Sequence, residues 1–155
     1  MNPELEIICA CPCIERQISD FFSLLAESQE SHYFFPHPLT PEQASIIANY
    51  TGKDFYAFVF YNGQAIGYGM LRGWDSGYEI PSLGISVRPD FRGTGIGELL
   101  MHYLHNVAML RGCKKIRLRV KKDNHRAMKL YLKLGYKLND EDGEGYIVGF
   151  IQLKR

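Results

Sequence analysis

The residues best suited to chemistry are concentrated in one run, Arg92-Gly93-Thr94-Gly95-Ile96-Gly97. Glycines at alternate positions lack the Cβ that keeps a backbone away from a ligand, so successive N–H groups can approach it. A long segment with helical apolar spacing follows, whose first turn would add unpaired N–H groups and the positive end of a helix dipole. Arg88 and Arg92 add charge. The chemistry that suits such a run is the holding of a phosphate or pyrophosphate; the plainer alternative is a glycine-rich turn into a helix. A nucleotide P-loop would require Lys-Ser/Thr after the last glycine, and here Gly97 is followed by Glu98 and Leu99. A dinucleotide fold would require G-x-G-x-x-G and an acid about 20 residues on. This chain has G-x-G-x-G, with Lys114, Lys115 and Arg117 near that distance.

A second run, Asn124-His125-Arg126-Ala127-x-x-Leu130-Tyr131-x-x-x-Gly135-Tyr136, lies downstream. Asn124, Ala127 and Tyr131 fall at i, i+3 and i+7, one side of a helix. Arg92-x-x-Gly95-x-Gly97 resembles the Q/R-x-x-G-x-G/A signature of the GNAT superfamily of acetyl-CoA-dependent N-acetyltransferases. The downstream run is similar to that family's N-x-x-A-x-x-L-Y-x-x-x-G-F/Y block, and Leu83-Gly84-Ile85-Ser86-Val87-Arg88-Pro89 looks like its fourth strand and exit. The resemblance covers residues 82–136; before residue 55 only the order of elements matches.

The resemblance implies acetyl transfer from acetyl-CoA to an amine. The coenzyme pyrophosphate would meet Arg92, Gly93, Thr94, Gly95, Ile96 and Gly97, and the pantetheine arm would pair with the backbone of Ile85 and Val87 where the fourth strand splays from the fifth. Asn124 and Ala127 would contact the cofactor, and Tyr131 would be the acid for the leaving thiolate. Lys121, Lys122 and Arg126 are candidates for the nucleotide phosphates. Glu79, at the entrance to the fourth strand, is the candidate base, with Asp75, His32 and His37 behind it. The acceptor would lie among His32, Phe35, Trp74, Tyr78 and Glu79, where rings and a carboxylate suit a small-molecule amine such as an amino sugar. A protein N-terminus or lysine is the second choice of acceptor. A non-catalytic domain that binds acyl-CoA and regulates a partner is the competing class. The resemblance allows a homodimer.

These residues need a scaffold. Residues 5–11 read as a strand and 14–26 as an amphipathic helix. Thr40-Pro41-Glu42-Gln43 starts a short helix to about residue 50. Strands are expected at 55–61 and 65–71, turned by Asn62-Gly63, then at 79–87. A helix over 94–110 ends at Gly112, followed by a strand at 115–120, a helix over 124–134 closed by Gly135, and strands at 136–138 and 146–153. Helices interleaved with strands predict an α/β (mixed α+β) single domain over residues 1–155: a central mixed, mostly antiparallel sheet of about seven strands with about four helices on its faces.

Composition agrees with that class. The 155 residues are 46% hydrophobic and 23% charged, ordinary for a globular chain that needs no staples. A net charge of +1 gives non-specific nucleic-acid binding little support. No apolar run approaches the roughly 20 residues of a membrane helix, and the N-terminus lacks a signal pattern, so no membrane partner and a cytoplasmic location are expected. Cys9, Cys11 and Cys13 alternate and Cys113 stands apart, without a metal-site spacing; reduced structural thiols and no metal are the expectation.

Overall fold

A computed structural model describes residues 4–28, 33 and 36–154. The elements run in the order β1 (Leu5–Cys9), α1 (Glu15–Glu27), α2 (Pro41–Ala48), β2 (Phe55–Tyr61), β3 (Gln64–Arg72), β4 (Ser82–Val87), α3 (Ile96–Leu110), β5 (Lys115–Lys121), α4 (His125–Lys133), β6 (Lys137–Glu141) and β7 (Tyr146–Gln152). The strands form one seven-stranded sheet in the order β1-β2-β3-β4-β5-β7-β6. Every pairing is antiparallel except β4 with β5. This is the expected mixed sheet with four helices.

The local chemistry accounts for the boundaries. Asn62 and Gly63 both take positive φ, 50° and 78°, as the tight hairpin between β2 and β3 requires. The Thr40 hydroxyl accepts from the N–H of Gln43 at 3.1 Å and caps α2, with Pro41 at its first position. Gly112, with φ at 85°, ends α3.

Two layers of helix cover the sheet. On one face, Ile18, Phe21, Phe22 and Leu25 of α1 and Ala44, Ile47 and Ala48 of α2 pack on Phe58, Phe60, Tyr68 and Met70. On the other, α3 lays Leu100 against Val59 and Ile66, and Met101, Leu104 and Ala108 against Leu71, Leu83, Ile116 and Leu118. Gly67 and Gly69 set the depth of α3. A Cβ on Gly69 would stand 3.0 Å from Leu104 Cδ1, and one on Gly67 3.1 Å from Ile96 Cγ2.

Two expectations fail here. The strand expected over 79–87 begins only at Ser82, because Gly77 takes positive φ, the chain bends at Glu79 and Ile80, and Pro81 has no N–H for a ladder. Cys11 and Cys13, expected to be reduced, are not: β1 stops at Cys9, short of the expected residue 11, the chain turns through Pro12–Ile14, and the two come to a Cα separation of 5.4 Å and are joined by a disulfide. Cys9 and Cys113 are free thiols.

Candidate functional site

The site begins with a gap in the sheet. β4 and β5 are paired at a single register position, Ser82 with Arg117, strengthened by the Arg117 N–H on the Pro81 carbonyl at 3.0 Å. Beyond it the strands diverge, although β4 stays in unbroken register with β3 from Arg72–Ser82 to Gly67–Val87. The Arg88 N–H points to β3, donating to the Ile66 carbonyl at 2.8 Å. Alternation along the strand therefore turns the N–H groups of Val87 and Ile85 toward the gap. Backbone donors facing a gap rather than a strand are what an extended, amide-containing ligand can pair with.

A cleft of about 500 Å³ fills this gap. Its floor is Leu83, Gly84, Ile85, Ser86 and Val87 of β4; one wall is Arg92, Gly93, Gly95 and Gly97. The opposite wall is Asn124, Ala127, Leu130 and Tyr131 at the start and along one side of α4. The glycine-rich run owes its shape to Gly93 and Gly95, with φ of 76° and 92°, a region costly for residues with a Cβ. Gly95 then serves as the N-cap residue of α3, whose free N–H groups head the cleft. Thr94 and Ile96 do not line it: the Thr94 hydroxyl donates to the Phe91 carbonyl, and Ile96 is buried against Val59, Ile66 and Leu100.

The cleft carries cations beside the carboxylates of Glu98, held by Lys133, and Asp123. Arg92 and Arg126 both line it. Burial, and after it repulsion by Arg126, holds the Arg92 guanidinium below its usual range. Two cations placed to repel one another favour an anion between them. Arg88 is not part of this pair; Asp90 takes it in a two-pronged bond of 2.8 and 2.7 Å, and it lies over Phe91. Of the basic run after β5, only Arg126 reaches the cleft. Lys122 is paired with Glu141 at 3.0 Å and Lys121 lies near the Tyr146 ring.

On α4, Asn124 Oδ1 accepts from the Ala127 N–H at 3.3 Å, so Asn124 caps the helix and borders the cleft at once. Tyr131 is 6% exposed, and burial pushes its phenol up to about 12. It carries its proton throughout the neutral range and has it to donate there.

A second cavity, about 720 Å³, lies beside the cleft, lined by Met70, Arg72, Ser82 and Arg117 among others. Tyr33, Leu83, Gly84 and Arg119 line both cavities, so the two meet at β4. Tyr78, 68% exposed, lines this second cavity. Trp74 lines neither: it packs on the core beside α3, with the Arg111 guanidinium 4.5 Å from its ring centroid. Glu79 is exposed in the bend before β4 and lines neither cavity. His32 and Phe35 lie outside the described residues. The Asp75 carboxylate is engaged by the Lys53 N–H at 2.8 Å and by the Tyr50 hydroxyl. His37 Nε2 meets the Tyr68 hydroxyl at 2.9 Å, and burial lowers its pKa.

Arg72, Arg117 and Arg119, also in the second cavity, are functional candidates that the motifs do not single out. For Arg117 and Arg119 the sequence signal is the alternation Lys115-Ile116-Arg117-Leu118-Arg119-Val120-Lys121, which puts every cation of β5 on one face.

Comparison with known proteins agrees with this geometry. Residues 19–136 match the acetyltransferase (GNAT) family, and the chain belongs to it. An acetyltransferase of Pectobacterium atrosepticum is 36% identical over 87 residues, 56% of this chain and 60% of that protein. The match thus spans less than two thirds of that curated relative. Among solved structures, the PaiA N-acetyltransferase of Thermoplasma acidophilum in complex with coenzyme A aligns with a TM-score of 0.78 at 16% identity, covering 96% of this chain and 99% of that one. The ribosomal-protein-S18-alanine N-acetyltransferase of Escherichia coli aligns with a TM-score of 0.71 at 16% identity, over 98% and 96%. At these identities the structures share the fold.

Proposed function

We propose that this protein transfers the acetyl group of acetyl-CoA to a primary amine of a small molecule by direct attack within a ternary complex. The observation that carries the reading is the gap past Ser82–Arg117, with two β4 N–H groups aimed into it and a glycine-rich helix start at its head. The pyrophosphate sits on the 92–97 loop with Arg92 and Arg126, and the pantetheine arm pairs with Ile85 and Val87. The acetyl group then lies near Gly84, where the second cavity meets the cleft.

The uncharged amine nitrogen attacks the thioester carbonyl and forms the C–N bond. A β4 N–H holds the oxygen as it gains charge. The C–S bond breaks, the thiolate takes the Tyr131 proton, the amine loses one proton to solvent, and Tyr131 recovers one from solvent, so that the products are the amide and the free thiol. A phenol raised to about 12 is a weak acid. It donates to a thiolate whose own basicity rises in the same dry cleft. Glu79 is exposed and lines neither cavity, so any part it takes as base would run through water.

The test is thiol release from acetyl-CoA with a panel of amines, alongside acetyl-CoA binding by calorimetry. Acetyl-CoA-dependent acetylation of a small amine is the expected result. Binding without turnover on any amine would replace the enzyme by an acyl-CoA-binding regulator. Turnover confined to peptides would move the acceptor to a protein.

A further inference from the structure

The sheet face carrying the second cavity is unusually cationic where α1 and α2 do not cover it. Ile116, Leu118 and Val120 are buried on the α3 side, so Lys115, Arg117, Arg119 and Lys121 all stand on the other. Lys115 and Arg119 have partners. Lys115 lies 4.4 Å from the Phe150 centroid, and Arg119 lies 4.2 Å from that of Tyr146 and is bound by Asp142 and Glu144. Arg72 and Arg117 have no carboxylate among the described residues. Arg72 donates to the Pro36 carbonyl at 2.8 Å and Arg117 to Ser82 Oγ at 3.0 Å.

These two arginines are neighbours through the sheet. Arg72 pairs with Ser82 across β3–β4, and Ser82 pairs with Arg117 across β4–β5. Register partners share a face, so Arg72, Ser82 and Arg117 form a row, with strands about 4.8 Å apart. All three line the second cavity. The carboxylate among its described lining residues, Asp54, has Oδ1 occupied by the N–H groups of Gly73 at 3.0 Å and Asp75 at 3.2 Å. Neither Arg72 nor Arg117 lines the other cleft, so the phosphates of coenzyme A do not account for them.

We propose that the acceptor amine carries an anionic oxyacid group, a carboxylate or a phosphate ester, gripped by Arg72 and Arg117 across Ser82 while the amine reaches Gly84. The inference rests on the acetyl-transfer reading and names the acceptor class of that same site. A planar guanidinium matches two oxygens of either group, and a neutral isostere leaves both forks unsatisfied. The grip reacts with nothing; it places the amine and relieves the repulsion between two adjacent cations.

The experiment titrates the coenzyme A-saturated protein calorimetrically with matched pairs, and follows thiol release with the same pairs and acetyl-CoA. One arm sets amino acids against their amides, and the other sets aminoalkyl phosphates against the parent amino alcohols. In one arm the acidic members should bind and turn over about tenfold better or more. Arg117→Gln and Arg72→Gln should each erase most of that preference at unchanged acetyl-CoA affinity, and Arg117→Lys should restore part of it. Circular dichroism and melting confirm that the variants fold, and the matched pairs on the unaltered protein keep the test decisive if one does not. Equal use of neutral and acidic amines, a preference that survives both glutamine variants, or no binding of any acidic amine overturns the proposal. Turnover of neutral amines alone would do so while leaving acetyl transfer standing. Binding of an acidic amine with no thiol release would instead sink acetyl transfer and keep the anion site.

Discussion

Ser82 and Arg117 are the register partners that join β4 to β5, and the same Arg117 reaches from its side chain to Ser82 Oγ at 3.0 Å. One residue pair thus closes the sheet at the base of the gap and sets out the cation row beside it. Pro81 places the pair: it donates nothing to a ladder, yet its carbonyl receives the Arg117 N–H.

Gly95→Glu should abolish acetyl-CoA binding. The position takes φ of 92°, which costs a residue with a Cβ about 1–2 kcal/mol. The new carboxylate would also face the pyrophosphate. Calorimetry checks this, with a small drop in melting temperature alongside; retained affinity would remove the loop from the coenzyme site.

Tyr131→Phe should lower kcat by about 10²-fold or more at nearly unchanged acetyl-CoA affinity. Stability should respond on the alkaline side. The folded phenol is raised to about 12 from an ordinary value near 10, so its contribution is complete below pH 10 and is lost as pH rises toward 12. The variant should show a shallower alkaline limb in its melting profile. Wild-type turnover would end the acid assignment.

How much of this was legible in the sequence follows from how local each signal is. The 92–97 run and the Asn124, Ala127, Tyr131 stripe are local, fixed by backbone conformation and helix periodicity, and the structure gathers most of them in one cleft. Glu79 depends on period-two parity carried back through Pro81, and the bend at residues 79–80 breaks it. Trp74 sits between glycines in a polar stretch and so looks available, but Arg111, far along the chain, stacks on it. Arg72 and Arg117 become neighbours only once β4 pairs with both flanking strands.

His105→Gln should flatten the acid limb of the stability profile. His105 Nε2 lies 2.7 Å from the Tyr136 hydroxyl, and burial, with His102 second, brings its pKa down to about 4. The folded state resists a proton that the unfolded chain accepts below about pH 6.5. Stability is therefore full above that value and declines as pH falls toward 4. Glutamine offers Tyr136 an acceptor that does not titrate in this range, so denaturant melts from pH 7 to 4 should lose part of the slope. His37, also lowered by burial, adds to the slope in the same direction.

Gly69→Val should both destabilise the protein and weaken acetyl-CoA. Even a Cβ at this position meets Leu104 at 3.0 Å and Leu100 at 3.1 Å. Overpacking of this kind costs about 1–3 kcal/mol and lifts α3, whose first turn heads the coenzyme cleft. Denaturant melts and calorimetry on one preparation test the pair of effects; normal affinity in a destabilised variant would separate the seat of α3 from the site.

The two cavities meet at Leu83 and Gly84 and otherwise have largely separate linings. On the proposed reading, each reactant would have its own doorway to one shared junction. Neither must depart for the other to enter, so steady-state plots against the two substrates should intersect rather than run parallel. Coenzyme A and the acetylated product would leave by the doors through which their precursors came, in either order.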